Sequence, residues 1–186
     1  AVLEHIDHWQ PDVVVVAGDI VNRGPRPLEC LQLVQERQRG RGWLSLLGDH
    51  EEYVLYQTKP EAPRQGPAFE IFRNSYWTLQ QLAGDVAALE ALPFQQTVMA
   101  PDGRLARIVH ASARGTRDGV FPVTPDEELR AQIGRPRVPL FVVGHTHWPL
   151  VRQIDGTLVV NVGAVGMPFD GDRRASYGQL TWRRGE

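Results

Sequence analysis

The chain has 186 residues, 42% of them apolar and five of them tryptophan, which is enough for a real core and too apolar for a disordered chain. A net charge of −2 argues against a general nucleic-acid surface, and no apolar run is long enough to span a bilayer. Cys30 is the only cysteine, so there is no disulfide framework; Lys59 is the only lysine, so the basic charge is nearly all arginine, the better bidentate partner for phosphate. With no visible signal peptide, these features predict a cytoplasmic protein of one domain, residues 1–186, with no membrane partner. They do not bear on its oligomeric state.

Ala1 to Gln10 reads as an amphipathic helix, with Val2, Leu3, Ile6 and Trp9 at helical spacing, and the chain opens on Ala1 in mid-helix. Val13 to Ala17 is β-branched and apolar, as in a strand buried on both faces. A polar loop from Gly18 to Pro27 follows, then a helix over Leu28 to Arg39 and a short strand over Trp43 to Leu47. Asp49 opens a helix to about Gln57, and a Pro-rich loop, Lys59 to Pro67, leads into helices over Ala68 to Ala83 and Asp85 to Leu92. The second half changes character. Phe94 to Met99 and Arg104 to His110 are strands joined at Pro101-Asp102-Gly103, and Ala111 to Val123 is a long polar loop. Thr124-Pro125-Asp126-Glu127 has the pattern of a capping box that starts a helix to about Ile133. Val138 to Val143 is a strand, and Leu150 to Ile154 and Thr157 to Asn161 flank the hairpin turn Asp155-Gly156. A Gly-rich loop, Gly163 to Arg174, leads to an expected last strand, Ala175 to Trp182. Helices alternating with strands early, and hairpins late, predict a mixed two-sheet core with helices outside.

Chemistry-bearing residues recur where apolar runs end: Gly18-Asp19 with Asn22-Arg23-Gly24, Gly48-Asp49-His50-Glu51, His110 after Ile108-Val109, and Gly144-His145-Thr146-His147. Each has a plain structural reading alone. Asp19 suits a turn, Asp49 and Glu51 suit the first turn of a helix, and His110 suits a satisfied core histidine. Two loop histidines one residue apart are weak evidence of a metal. Together the reading shifts, because every candidate sits at a strand end and a glycine precedes Asp19, Asp49 and His145. Imidazole and carboxylate ligands suit Zn, Mn or Fe.

In order and spacing these motifs resemble the calcineurin-like metallophosphoesterase superfamily. Asn161-Val162-Gly163-Ala164-Val165-Gly166 and the run from Asp170 to Tyr177 resemble its bacterial predicted-phosphodiesterase branch, whereas Arg23 resembles the protein phosphatase branch. The resemblance implies an α/β fold of two packed mixed sheets flanked by helices, a four-layer sandwich. It also implies two divalent ions bridged by Asp19, the second taking Asp49, His110 and His145 and the first taking His147 with an Asp-x-His motif on the family's first strand. That motif is absent here. His5, Asp7 and His8 lie within the expected first helix and do not supply it. The N-terminal strand is therefore expected to be missing from this chain.

The implied reaction is hydrolysis of a phosphomonoester or phosphodiester, with His50 as general acid, Arg23 on a non-bridging phosphate oxygen and Asn22 supporting His50. Arg114 and Arg117 are further candidates for phosphate contact, and Glu51 is expected to be a helix N-terminal residue. Two positions depart from the family. Asp49 stands where Asn is usual, and Asn22 stands where the protein phosphatase branch has Asp. The exchange moves charge toward the second ion. The alternatives are a catalytically silent interaction scaffold and a phosphate- or nucleotide-binding sensor.

Overall fold

The computed structural model describes residues 1–182. The chain divides into two compact units, one of Val13–Pro93 and the other of Ala1–Asp12 with the chain from Phe94 onward.

In the Val13–Pro93 unit, β1 (Val15–Val16) pairs in parallel with β2 (Leu44–Ser45). A parallel pair needs a long crossover, and α2 (Pro27–Arg41) provides it. Pro27 opens that helix where a missing N–H costs nothing, and Gly42 ends it in a left-handed conformation. Then come α3 (Asp49–Tyr56), α4 (Gly66–Gln81) and α5 (Ala87–Glu90). Val21, Leu31, Val54, Leu82, Val86 and Leu89 form this unit's apolar core. The aromatic side of α4 faces α3: the Phe72 ring lies 5.6 Å from Tyr53 and 6.2 Å from Tyr56. The expected burial of β1 on both faces is corrected. Val13 is 47% exposed and Val14 to Val16 are half-buried, because within its sheet β1 has a strand neighbour on one side only.

The other unit holds α1 (Val2–Trp9), α6 (Asp126–Ile133) and a five-stranded mixed sheet in the order β3-β4-β5-β7-β6. Its strands are β3 (Gln95–Met99), β4 (Leu105–Val109), β5 (Leu140–Val143), β6 (Leu150–Ile154) and β7 (Thr157–Asn161). The β6–β7 hairpin turns at Asp155 and Gly156, both with positive φ, as a two-residue turn matched to strand twist requires. β4, β5 and β7 run parallel, so their C-terminal ends line up on one edge of the sheet. The core gathers Val109, Val120, Leu129, Ile133, Phe141, Val143 and Val159. Arg107, buried within β4, donates to the carbonyls of Ile133 and Pro136 and so ties the end of α6 to the sheet.

Two local expectations are overturned in this unit. Thr124 does not cap α6: its hydroxyl accepts from the Phe121 N–H at 2.9 Å, closing the loop before the helix, and Pro125 takes the N-cap position. Ala175 to Trp182 forms no strand. Ser176 bonds the Ala164 and Val162 carbonyls, but one residue bonded in this way makes no ladder. Among the described residues no helix is long and apolar enough to cross a membrane.

Candidate functional site

In the Val13–Pro93 unit the site residues follow β1 and β2. Asp19, Asn22 and Arg23 all adopt left-handed backbone, with φ of 56°, 73° and 59°. Non-glycine residues held there carry strain on the order of 1 kcal/mol each, retained where surrounding structure fixes them. Gly24 N–H bonds the Asn22 carbonyl at 2.6 Å, so Arg23 sits at the centre of a three-residue turn and its side chain is exposed. Asp19, Asp49 and His50 each present a ligand atom, all within 4.8 Å of one another. The His50 N–H donates to Asp19 Oδ1 at 3.2 Å, and His50 Nδ1 lies 3.6 Å from Asp19 Oδ2.

Asn22 is corrected. Its buried amide donates to Ser75 Oγ at 3.1 Å and accepts from Thr78 Oγ1 at 3.2 Å. Both partners lie on α4, so the side chain anchors the loop to that helix. Glu51 also exceeds the role expected of it. It is fully buried, and its carboxylate accepts from the N–H groups of Asp19, Ile20, Val21 and Gly48 at 2.8–3.1 Å. Burial, then the nearby Asp19 charge, pushes its carboxyl up to about 7, against the pull of those N–H donors. A Cβ on Gly48 would lie 2.2 Å from Asp19 Oδ1, so only glycine admits this approach.

In the other unit, His110 follows β4 and His145 follows β5. These strands are parallel neighbours, which places the two imidazoles together: His145 Nδ1 is 3.3 Å from His110 Nε2. Two nitrogens on one ion at about 2.0–2.1 Å and a tetrahedral angle lie about 3.3–3.4 Å apart. The same spacing suits one ring donating to the other. His145 has φ 64° and, like Arg23, centres a three-residue turn, closed by Thr146 N–H to the Gly144 carbonyl at 2.7 Å. A Cβ on Gly119 would lie 3.0 Å from the His145 ring and 2.6 Å from Thr146, so this loop also depends on a close glycine. His147 Nδ1 bonds the Met167 carbonyl at 2.6 Å, which makes Nδ1 the protonated nitrogen and Nε2 the one able to accept. The Phe169 ring lies 4.8 Å from the His147 ring.

Asn161, at the end of β7, holds the histidine loop. Its amide nitrogen is 2.8 Å from the Gly144 carbonyl and from Thr146 Oγ1, and its oxygen accepts from Gly163 N–H. In the sequence Asn161 stands at a strand end and opens the family-like run to Gly166, but neither feature shows that it holds the histidine loop. Arg114 is corrected as a phosphate contact. Its guanidinium bonds Asp118 at 2.6 and 2.7 Å and pairs with Glu128. That arginine, with Ser112 and Gln132, holds the Asp118 carboxyl down to about 2. Arg117 is exposed in the same loop. His5 sits on α1, as expected, and bonds the Tyr177 hydroxyl at 2.6 Å.

The sequence pattern of the calcineurin-like phosphoesterase superfamily domain matches residues 1–185, across both units. The chain belongs to this superfamily. An uncharacterized protein of Methanocaldococcus jannaschii is 26% identical over 197 residues, covering 95% of this chain and 74% of the relative. A metallophosphoesterase from Sphaerobacter thermophilus has a similar structure, with TM-score 0.70 and 29% identity over 94% of this chain and 76% of that one. A hypothetical protein of Pyrococcus horikoshii shares the fold with TM-score 0.70 at 19% identity, covering 90% of this chain and 71% of the other. The α/β fold, with sheets of two and five strands and helices beside them, is that of the superfamily. Members are metal-dependent phosphoesterases, and the residues here fit a divalent ion: a carboxylate pair beside His50 in one unit, and in the other a histidine pair at ligand spacing with His147 set in a ligand tautomer.

Proposed function

We propose that the protein hydrolyses a phosphomonoester or phosphodiester with divalent ions held by Asp19, Asp49, His110, His145 and His147. Asp49, His110 and His145 would hold one ion, His147 the other, and Asp19 would serve both. The observation that carries this reading is the 3.3 Å spacing of the His110 and His145 nitrogens at the aligned ends of parallel strands. When bound, the ions supply positive charge for the phosphoryl oxygens and an acidified water as nucleophile. Arg23 holds a non-bridging phosphate oxygen. Its exposed guanidinium has no hydrogen-bond or ion-pair partner among the described residues, and its strained turn fixes where the side chain starts. His50 protonates the leaving oxygen, and Asp19 orients its ring.

The ligand count is uneven. Asp19, Asp49, His110 and His145 make four, a full set for zinc or a usable one for manganese. His147 with the shared Asp19 makes the poorer set, two side chains where an ion takes about four ligands. One ion should therefore bind more tightly than the other. The test is hydrolysis of an aryl phosphate and a bis-aryl phosphodiester by chelator-stripped protein with and without added manganese. Manganese-dependent release of the phenol from either ester supports the proposal. Release that is the same with and without metal, or no release from protein that has bound manganese, counts against it and favours the scaffold or sensor reading.

A further inference from the structure

Glu51 lies one residue beyond His50, yet three of the four N–H groups on its carboxylate come from residues 30 to 32 positions earlier in the chain. Oε1 accepts from Ile20 and Val21; Oε2 accepts from Asp19 and Gly48. Only the Gly48 bond belongs to the start of α3. The others close the loop after β1 onto the loop after β2. A carboxylate has two oxygens and about four lone-pair sites, and here all four are matched by backbone donors. No other side-chain type of this length offers acceptors alone.

We propose that Glu51 is a positioning residue for the ion site: its carboxylate fixes the left-handed backbone at Asp19, and with it the direction of the Asp19 carboxylate toward the ions. The inference rests on the reading of Asp19 as a metal ligand. Asp19 at φ 56° occupies a region that few non-glycine residues adopt, and contacts from outside the loop hold it there. The bond from Glu51 to Asp19's own N–H does so at 2.8 Å, and the next two N–H groups extend the hold. On the other loop, the Gly48 bond leaves no room for a side chain between Glu51 and Asp19: a Cβ there would lie 2.8 Å from Glu51 Oε2 and 2.5 Å from the Asp19 nitrogen. Glu51 touches no substrate in this scheme and donates nothing to the ion. It acts through Asp19.

The experiment compares Glu51→Gln with Asp19→Asn and the unaltered protein, titrating chelator-stripped samples with manganese and reading free ion by its paramagnetic resonance. Glu51→Gln keeps the size but turns one acceptor into an NH₂ that meets two N–H donors. Manganese affinity should fall by about 10- to 100-fold, as for residues that orient ligands. On an aryl phosphate, kcat should fall while KM stays within about twofold, the mark of an interaction expressed in the transition state rather than in substrate binding. Affinity within twofold of the unaltered protein in Glu51→Gln, with Asp19→Asn strongly weakened, overturns the positioning role and leaves the metal reading intact. Unchanged affinity in Asp19→Asn overturns both. Amide exchange in the unaltered protein gives a measure independent of any variant that fails to fold. The N–H groups of Asp19, Ile20, Val21 and Gly48 should exchange slowly and as a set, and rapid exchange of the first three contradicts the clamp.

Discussion

At the residue scale, strained backbone and chemistry coincide. Among the described residues, eight non-glycine residues have positive φ, and five of them are Asp19, Asn22, Arg23, His145 and His147. Such conformations persist only where neighbouring structure fixes them, and Glu51, Asn161 and the Asn22 bonds to α4 are the groups that do so here. Asp49 and His50 stand side by side on α3 but should respond differently to replacement. Asp49→Asn exchanges a charged proposed ligand for a neutral one, so the variant should lose bound ion faster during dialysis, which metal analysis of the dialysed protein would reveal. His50→Ala should retain its metal while kcat on an ester with a poor leaving group falls by roughly 10²–10⁴-fold. Because His50 shares ligand distance with Asp19 and Asp49, loss of metal in His50→Ala would reassign it from acid to ligand.

At the element scale, the loop from Ala111 to Val123 is more than a polar connection. Asp118 gathers Ser112 Oγ at 2.6 Å, Arg114 and Gln132, while Gln132 Nε2 also donates to the Gly119 carbonyl at 3.0 Å. The loop thereby presents Gly119 against the His145 ring. Asp118 has a folded pKa of about 2, below the ordinary carboxylate value near 3.8. A depressed carboxyl contributes stability that is present above the unfolded pKa and lost as pH falls through the folded one. Acid unfolding should therefore include a component between about pH 4 and pH 2 that Asp118→Asn removes. The contribution is small because its arginine partner is exposed and the pair is screened by solvent. Thermal melts of both proteins at pH 6 and pH 3 would measure it. Gly119→Ala should displace His145 and weaken manganese binding while leaving the sheet's core untouched.

Much at this scale was legible in the sequence, and the reasons divide cleanly. Asp155-Gly156 marks its hairpin because the turn demands positive φ at two adjacent positions. Apolar runs ending in Asp or His mark strand ends because burial and chemistry alternate within a few residues. What was hidden depends on partners distant in sequence. Asn22 is matched to Ser75 and Thr78, 53 and 56 residues away, so an expected support for His50 proved to be an anchor to α4. Arg114 looked like a phosphate contact until Asp118 and Glu128 took its guanidinium. Thr124 matched a capping pattern, but the loop used its hydroxyl first. Ala175 to Trp182 has the composition of a strand without the continuous pairing that makes one.

At the scale of the whole molecule, the proposed ligands are divided along the chain: Asp19 and Asp49 fall in Val13–Pro93, and the three histidines in the unit that begins again at Phe94. Each unit has its own apolar core. Binding to the folded state alone stabilises it by about 2.7 kcal/mol at a free ion concentration 100 times Kd. Manganese should accordingly raise the melting temperature of the chelator-stripped protein, and it should do so much less in Asp49→Asn. The most direct test of the central claim is the metal content of purified Ala1–Glu186 after loading with manganese or zinc and exhaustive dialysis. One equivalent per chain is predicted, abolished by joint replacement of His110 and His145 with alanine. No retained metal, or one equivalent that survives that double replacement, would contradict it.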